Sequence, residues 1–304
     1  MRSTLFQSLA RPLFALLSVC AVGCGEEDKP ADDGAIMCPE NPLAAGDMTI
    51  TLQSNGMDRT YVLHIPSTLD LSKPAPLVLN YHGLTSNTGQ QIAFSGLNAT
   101  ADTEGFIVAY PEGIANSFNA GSCCSALASP PHMEDDVAFT RAIVADISSK
   151  VCVDDRRVYS TGMSNGGYMS EYNACMNADI FAAVAPVSAM GFAQPVCEPS
   201  RPVPMIAFNG TADTLVNYAG AATSVESWLG RDGCTGEPTR TAYGDSFCDT
   251  WTQCSDGVEL THCTLTGMGH CWPGMAFCPF GDANIEIDAN TTMWAFLSRF
   301  TLPR

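Results

Sequence analysis

Six short apolar runs recur along the chain: Pro76 to Tyr81, Gly105 to Tyr110, Arg157 to Thr161, Phe181 to Val187, Val203 to Phe208 and Val258 to Thr266. Each is nearly continuous rather than alternating. A strand that hides only one face alternates apolar and polar residues, whereas a strand covered on both faces does not. The runs therefore predict the inner strands of a parallel sheet. Helical patterns lie between them. Asp135-Asp136 opens a helix running to Lys150, with Phe139, Ile143, Val144 and Ile147 on one face. Tyr168, Met169, Tyr172 and Met176 form a second stripe, and Ala289, Met293, Phe296, Leu297 and Phe300 a last one. Ahead of them, Met48 to Gln53 and Thr60 to Ile65 flank Ser54-Asn55-Gly56, a hairpin signal. The predicted class is α/β, a mostly parallel central sheet flanked by helices, with antiparallel strands at one edge.

The N-terminus reads as an address. Arg2 and Arg11 precede the apolar stretch Leu13 to Val22, and Ala21-Val22-Gly23-Cys24 follows. Small residues at 21 and 23 suit a cut after Gly23, giving a signal peptide over 1–23. The same four residues resemble a bacterial lipobox, with Ala21 in place of the usual Leu, so Cys24 is the expected lipidation site. Residues 24–46, acidic and without an apolar face at their start, are expected to tether a single domain over 47–304. The expectation is an exported cell-envelope lipoprotein, or an extracellular or periplasmic protein if Cys24 stays unmodified. The only membrane contact expected is the lipid anchor.

Cysteine counting fits export. Of 14 Cys, Cys20 leaves with the signal and Cys24 takes lipid, which leaves an even twelve. In an oxidising compartment these are expected as disulfides. Cys123 and Cys124 are adjacent, and each is expected to pair elsewhere. CxxC pairs and an HxxxH array are missing, so neither a metal nor a cofactor is expected. The formal net charge is −18, and there are only three Lys (Lys29, Lys73 and Lys150), so no phosphate-tracking surface can be built and nucleic acid is not an expected partner.

Gly162-Met163-Ser164-Asn165-Gly166 is the one GxSxG in the chain. It lies between a predicted strand and a predicted helix. A serine on such a turn projects its hydroxyl above the sheet, and glycines on either side let the backbone pack closely. Serine needs a base, usually an oriented histidine. His64 and His262 lie inside strand patterns, His132 follows Pro130-Pro131, and His82 follows a strand in Tyr81-His82-Gly83. His270, in Gly267-Met268-Gly269-His270, is the candidate downstream of Ser164 in a loop after a strand. Asp213 follows the Val203 to Phe208 strand through Asn209-Gly210-Thr211-Ala212 and is the candidate acid. For the oxyanion hole the donors expected are the N–H of Asn165 and that of Leu84, with Gly83 as the alternative. His82 is expected to shape that loop rather than act as base.

At these residues the chain resembles the exported α/β-hydrolase esterases that group polyhydroxybutyrate depolymerases with feruloyl and acetylxylan esterases. The resemblance runs from about Arg59 to Phe300. It includes Tyr81-His82-Gly83, Tyr110-Pro111-Glu112-Gly113, Asn119 to Cys124, Asp135 to Phe139, the serine elbow, Gly210 to Asp213, and Gly269 to Gly274. It implies an α/β-hydrolase fold and a serine esterase with the triad Ser164, Asp213 and His270. It also suggests a Cys234–Cys254 disulfide. Asn209 and Phe118 depart from the His and Trp common among relatives, and both are expected to line or support the acyl pocket. Trp272 either faces substrate or packs in the core.

The expected activity is carboxylic-ester hydrolysis through an acyl-enzyme. The substrates implied are polyhydroxybutyrate-type oligoesters or feruloyl and acetyl esters of plant polysaccharide. Two other readings are a serine peptidase on the same scaffold and a non-catalytic surface lipoprotein that keeps the fold for binding. Few residues separate the last predicted strand from the final helix, and Arg304 follows the Phe300 stripe closely. Small acyl or hydroxycinnamoyl esters are therefore expected in preference to crystalline polyester.

Overall fold

The computed structural model describes residues 36–121, 123–124, 133–190 and 197–303. The signal peptide, Cys24, the first part of the tether and His132 lie outside the described residues.

The chain opens with β1 (Gly46–Ser54) and β2 (Met57–Ile65), an antiparallel hairpin in the register Gly46 to Ile65. Its two-residue turn places Asn55 at φ 51° and Gly56 at φ 78°, the left-handed pair that matches strand twist. There follow β3 (Ala75–Tyr81), α1 (Thr88–Ser95), α2 (Leu97–Glu104), β4 (Ile107–Pro111), α3 (Asp136–Ser148), β5 (Val153–Met163) and α4 (Asn165–Met176). The rest comprises β6 (Ala183–Val187), β7 (Met205–Gly210), α5 (Tyr218–Arg231), β8 (Thr239–Tyr243), β9 (Ser246–Trp251), β10 (Leu260–Leu265) and α6 (Ala289–Leu297).

The ten strands form one sheet in the order β1-β2-β4-β3-β5-β6-β7-β10-β9-β8. The six strands from β4 to β10 in that order pair in parallel. Successive side chains of a parallel strand enter opposite cores. Leu77, Leu79 and Tyr81 face one apolar cluster, and Val78 faces the other with Val108 and Tyr110. This two-sided cover is why the strands read as continuous apolar runs. The architecture is an α/β-hydrolase fold.

Three expectations need correction. Antiparallel strands close both edges, because β8 and β9 add a second hairpin beside β10. Every residue of β8 is at least partly exposed, and its sequence TRTAY carries no apolar run for a reader to find. Cys123 and Cys124 do not find partners elsewhere but bond to each other. The other bridges are Cys38–Cys152, Cys175–Cys197, Cys234–Cys254, Cys248–Cys263 and Cys271–Cys278, so the pairing the resemblance suggests is present and all twelve cysteines are bonded. Finally, the later part of the expected tether is attached to the domain. Cys38 is bridged to Cys152, and the Leu43 N–H donates to the Lys150 carbonyl at 2.9 Å.

Candidate active site

Parallel strands all end at the same sheet edge, so loops far apart in sequence meet there. The loops after β3, β5, β7 and β10 carry His82 to Leu84, Ser164, Asp213 and His270 respectively.

Ser164 sits between β5 and α4 at φ 57°, ψ −119°. That strained backbone is costly for a side-chain-bearing residue and is held by its surroundings. The Ser164 N–H donates to the Val187 carbonyl at 2.9 Å, and its own carbonyl accepts from Tyr168 at 2.8 Å. Close packing at the turn depends on its glycines. A Cβ on Gly162 would lie 2.5 Å from the Gly166 carbonyl oxygen, and one on Gly166 would overlap the Tyr81 carbonyl. Ten of the twelve residues of α4 are buried, so the serine stands on an element fixed from all sides.

His270 and Asp213 are both buried, and His270 Nδ1 lies 2.7 Å from Asp213 Oδ2. The other oxygen of Asp213 accepts 2.8 Å hydrogen bonds from the N–H groups of Leu215 and Val216. These bonds fix the carboxylate, which in turn orients the imidazole. Their two loops are laced together. The Thr211 N–H donates to the Leu265 carbonyl and the Ala212 N–H to that of Met268, both at 3.0 Å. The histidine loop also reaches the serine elbow. Ser188, which follows the Val187 partner of Ser164, donates its hydroxyl to the Cys271 carbonyl at 2.9 Å. Among the described residues no hydrogen bond joins the Ser164 hydroxyl to His270 Nε2, whose ring is held through Nδ1.

Asn165 is the first residue of α4, so its N–H lacks an intrahelical acceptor and is available above the turn. Its side chain clamps the loop opposite. Oδ1 accepts from the Phe118 N–H at 2.7 Å, and Nδ2 donates to the Phe118 carbonyl at 3.0 Å. Gly83 runs past Ser164, where a Cβ would touch Ser164 Cβ at 3.5 Å.

His82 is buried and wired to backbone on both sides. Nε2 accepts from the Gly113 N–H at 3.0 Å, so Nδ1 carries the proton and donates to the Gly83 carbonyl at 2.8 Å. Burial holds its pKa below the usual imidazole range. Phe118 packs on His82 at 4.6 Å and edge-on to Tyr81 at 5.2 Å. It is fully buried and supports the loop. Asn209 is also buried, donating to the Ala189 carbonyl at 2.5 Å and lying 3.2 Å from His262 Nε2. Trp272 is 0% exposed, with its indole N–H on Asn290 at 2.9 Å, so it packs in the core. His64 and His262 lie within β2 and β10 as their patterns indicate.

Asp136 escapes a sequence reading that treats the Asp135-Asp136 pair as helix start. Asp135 does cap α3, accepting from the Ala138 N–H at 2.9 Å. Asp136 turns inward instead, 2.7 Å from the buried Arg59 guanidinium and 2.7 Å from the Asn119 N–H. It thus ties β2 and α3 to the loop that Asn165 grips. Among the described residues no group of three or more His, Cys, Asp or Glu is placed to hold a metal ion.

Comparison with known proteins agrees with this architecture. The family model described as "Esterase PHB depolymerase" matches residues 59–233, more than half of the chain. The chain belongs to this α/β-hydrolase esterase family. It is 34% identical over 269 residues to feruloyl esterase B of Piromyces equi, covering 81% of this chain and 46% of that protein. It is 31% identical to the putative esterase NocK of Nocardia uniformis subsp. tsuyamanensis, covering 73% of each. The chain thus spans about half the length of the first of these relatives and about three quarters of the second. Among solved structures, the acetyl xylan esterase from Aspergillus awamori superposes with a TM-score of 0.59 at 18% identity, covering 75% of this chain and 94% of that one. At that identity the likeness speaks for the fold alone.

Proposed function

We propose that the esterase is a serine carboxylic-ester hydrolase working through an acyl-enzyme, with Ser164 as nucleophile, His270 as base and Asp213 as its orienting acid. The reading is supported above all by the buried 2.7 Å contact between His270 and Asp213, at the same sheet edge as the strained Ser164 turn. With Nδ1–H committed to Asp213, His270 Nε2 carries the lone pair that a serine proton needs. Ser164 Oγ attacks the ester carbonyl carbon as its proton passes to Nε2. The resulting oxyanion takes hydrogen bonds from the N–H of Asn165 and from that of Leu84 or Gly83. Collapse breaks the bond to the alcohol oxygen, which leaves with the proton from Nε2. Water then repeats the sequence on the acyl-enzyme and releases the acid.

Feruloyl or acetyl esters of plant polysaccharide are the proposed substrates, with polyhydroxybutyrate-type oligoesters as the alternative. The 34% identity to feruloyl esterase B supports the feruloyl reading, and the description of the family model supports the alternative. Export and lipid attachment at Cys24 are proposed on the N-terminal sequence alone. The test is labelling by a fluorophosphonate probe, followed by peptide mapping. Label on Ser164, together with loss of hydrolysis in Ser164→Ala, is expected. Wild-type turnover in that variant overturns the reading.

A further inference from the structure

The segment after His270 divides its large side chains in an unusual way. Trp272 is sunk in the core, whereas Phe277 and Phe280 are 70% and 56% exposed. Burying a Phe is worth roughly 1.5–3 kcal/mol, so two left in water within four residues add little to the fold. Nor is the segment slack. The Cys271–Cys278 bridge closes it, the Gly269 N–H donates to Asp282 at 2.9 Å, and the Gly274 N–H to Asn284 at 2.9 Å. The His270 N–H itself donates to the Phe280 carbonyl at 2.9 Å, and the two rings stand 6.2 Å apart. Phe280 is therefore an exposed aromatic whose backbone is tied to that of the histidine.

We infer that Phe280, with Phe277 in the adjoining bridge-closed loop, forms a shelf that holds the sugar alcohol of the proposed polysaccharide ester and sets the preference for it. The inference rests on the proposed triad. His270 hands its proton to the departing oxygen, so the alcohol leaves on the His270 side of the site, where Phe280 stands. An aromatic face is electron-rich, and it meets the C–H face of a sugar ring favourably while the hydroxyls stay in water. An open shelf also admits a ring embedded in a polymer, which an enclosed cavity would not. The chain's net charge of −18 repels polyuronates and leaves neutral sugars unaffected. Because backbone bonds and a disulfide fix the segment, little ordering cost falls on binding.

Two esters with one acyl group and different alcohols test this: methyl ferulate and a feruloylated arabinoxylo-oligosaccharide. Wild-type protein should prefer the oligosaccharide ester in kcat/KM. Phe280→Ala should lose about tenfold on it, mostly through KM, and less than threefold on methyl ferulate. Phe280→Trp should keep the preference, and Phe277→Ala should lower it more mildly. Unaltered thermal melting would show that Phe280→Ala remains folded, as expected for an exposed side chain whose carbonyl bond to His270 survives. An equal loss on both esters, or no alcohol preference in the wild type while Ser164→Ala is dead, overturns the shelf and spares the triad. Full activity in Ser164→Ala overturns the triad, and the shelf with it.

Discussion

His82 and His270 stand in similar places and do different work. Each follows an inner strand of the sheet, each adjoins a glycine, and both are buried. The difference lies in their partners. His82 donates to one backbone carbonyl and accepts from one backbone N–H, which leaves its ring no unused nitrogen. His270 spends Nδ1 on the Asp213 carboxylate, and it is Nε2 that the proposed mechanism uses. Burial alone therefore does not mark a base; the partner list does. A histidine whose two nitrogens both meet the main chain is a spacer between loops, whereas one held by a carboxylate at Nδ1 alone has the arrangement an oriented base requires; His64, with a carboxylate at each nitrogen, does not.

The largest effect expected is on the His270 side. His270→Ala and Ser164→Ala should each lower kcat by about 10⁴ or more, with unchanged circular dichroism. Asp213→Asn should cost about 10³–10⁴, because an amide that donates to Nδ1 favours the wrong tautomer. If steady-state assays show His82→Ala to be as dead as His270→Ala while equally well folded, the distinction between the two histidines collapses.

On the other side, His82→Ala strands the Gly83 carbonyl and the Gly113 N–H. Each unsatisfied buried group costs about 1–3 kcal/mol. A lower melting temperature and a kcat reduced about 10–100-fold are expected, from a displaced oxyanion loop rather than a missing base. His82→Gln, which offers both a donor and an acceptor, should recover part of both readouts.

Acid sharpens the contrast further. Burial lowers the pKa of His82, and it brings that of His262 down to about 4, with nearby Asp249 opposing. Folded-state values below the unfolded 6.5 mean that the unfolded chain takes up protons first as pH falls. The stability His262 contributes is complete above about pH 6.5 and is lost as pH falls toward 4, and His82 adds to the decline in the same direction. The His262 part amounts to about 2–4 kcal/mol. Denaturation midpoints measured between pH 7 and 4 should decline, and His262→Gln should flatten the decline.

The smallest effect concerns the bridge that closes the segment after His270. Replacing Cys271 and Cys278 together by Ser should cost about 2–3 kcal/mol, the low end for a disulfide, since the loop it closes is short. Activity on small esters should fall only a few-fold, by loosened support of the histidine. A loss as large as that of His270→Ala would mean the bridge, not Asp213, is what positions the ring.

Much of this arrangement is legible along the chain. The inner strands announce themselves as apolar runs because both of their faces are covered, and α4 is marked by its stripe and the glycines before it. The order Ser164, Asp213, His270 follows strands that read clearly. What is missing from such a reading is instructive. The β8–β9 hairpin lies at an edge, where solvent permits polar residues, so its pattern is weak. Helices α1 and α2 are short and polar, and they are delimited by capping at Asn87, Gly96 and Gly105 rather than by periodicity. The bond between adjacent Cys123 and Cys124 has no signature beyond adjacency, which by itself argued the other way.

The sequence by itself determined the class of fold, the even set of bonded cysteines and the residue types available at each strand end, because periodicity, counting and local turn chemistry are written along the chain. Only the tertiary structure decided which of those residues meet. Asp213 reaches His270 across 57 positions of sequence because β7 and β10 are parallel neighbours whose loops exit the same edge. Asp136 turned inward to Arg59, Trp272 went into the core and Phe280 stayed in water for reasons of packing, which depend on neighbours brought in from elsewhere in the chain and have no local pattern to betray them.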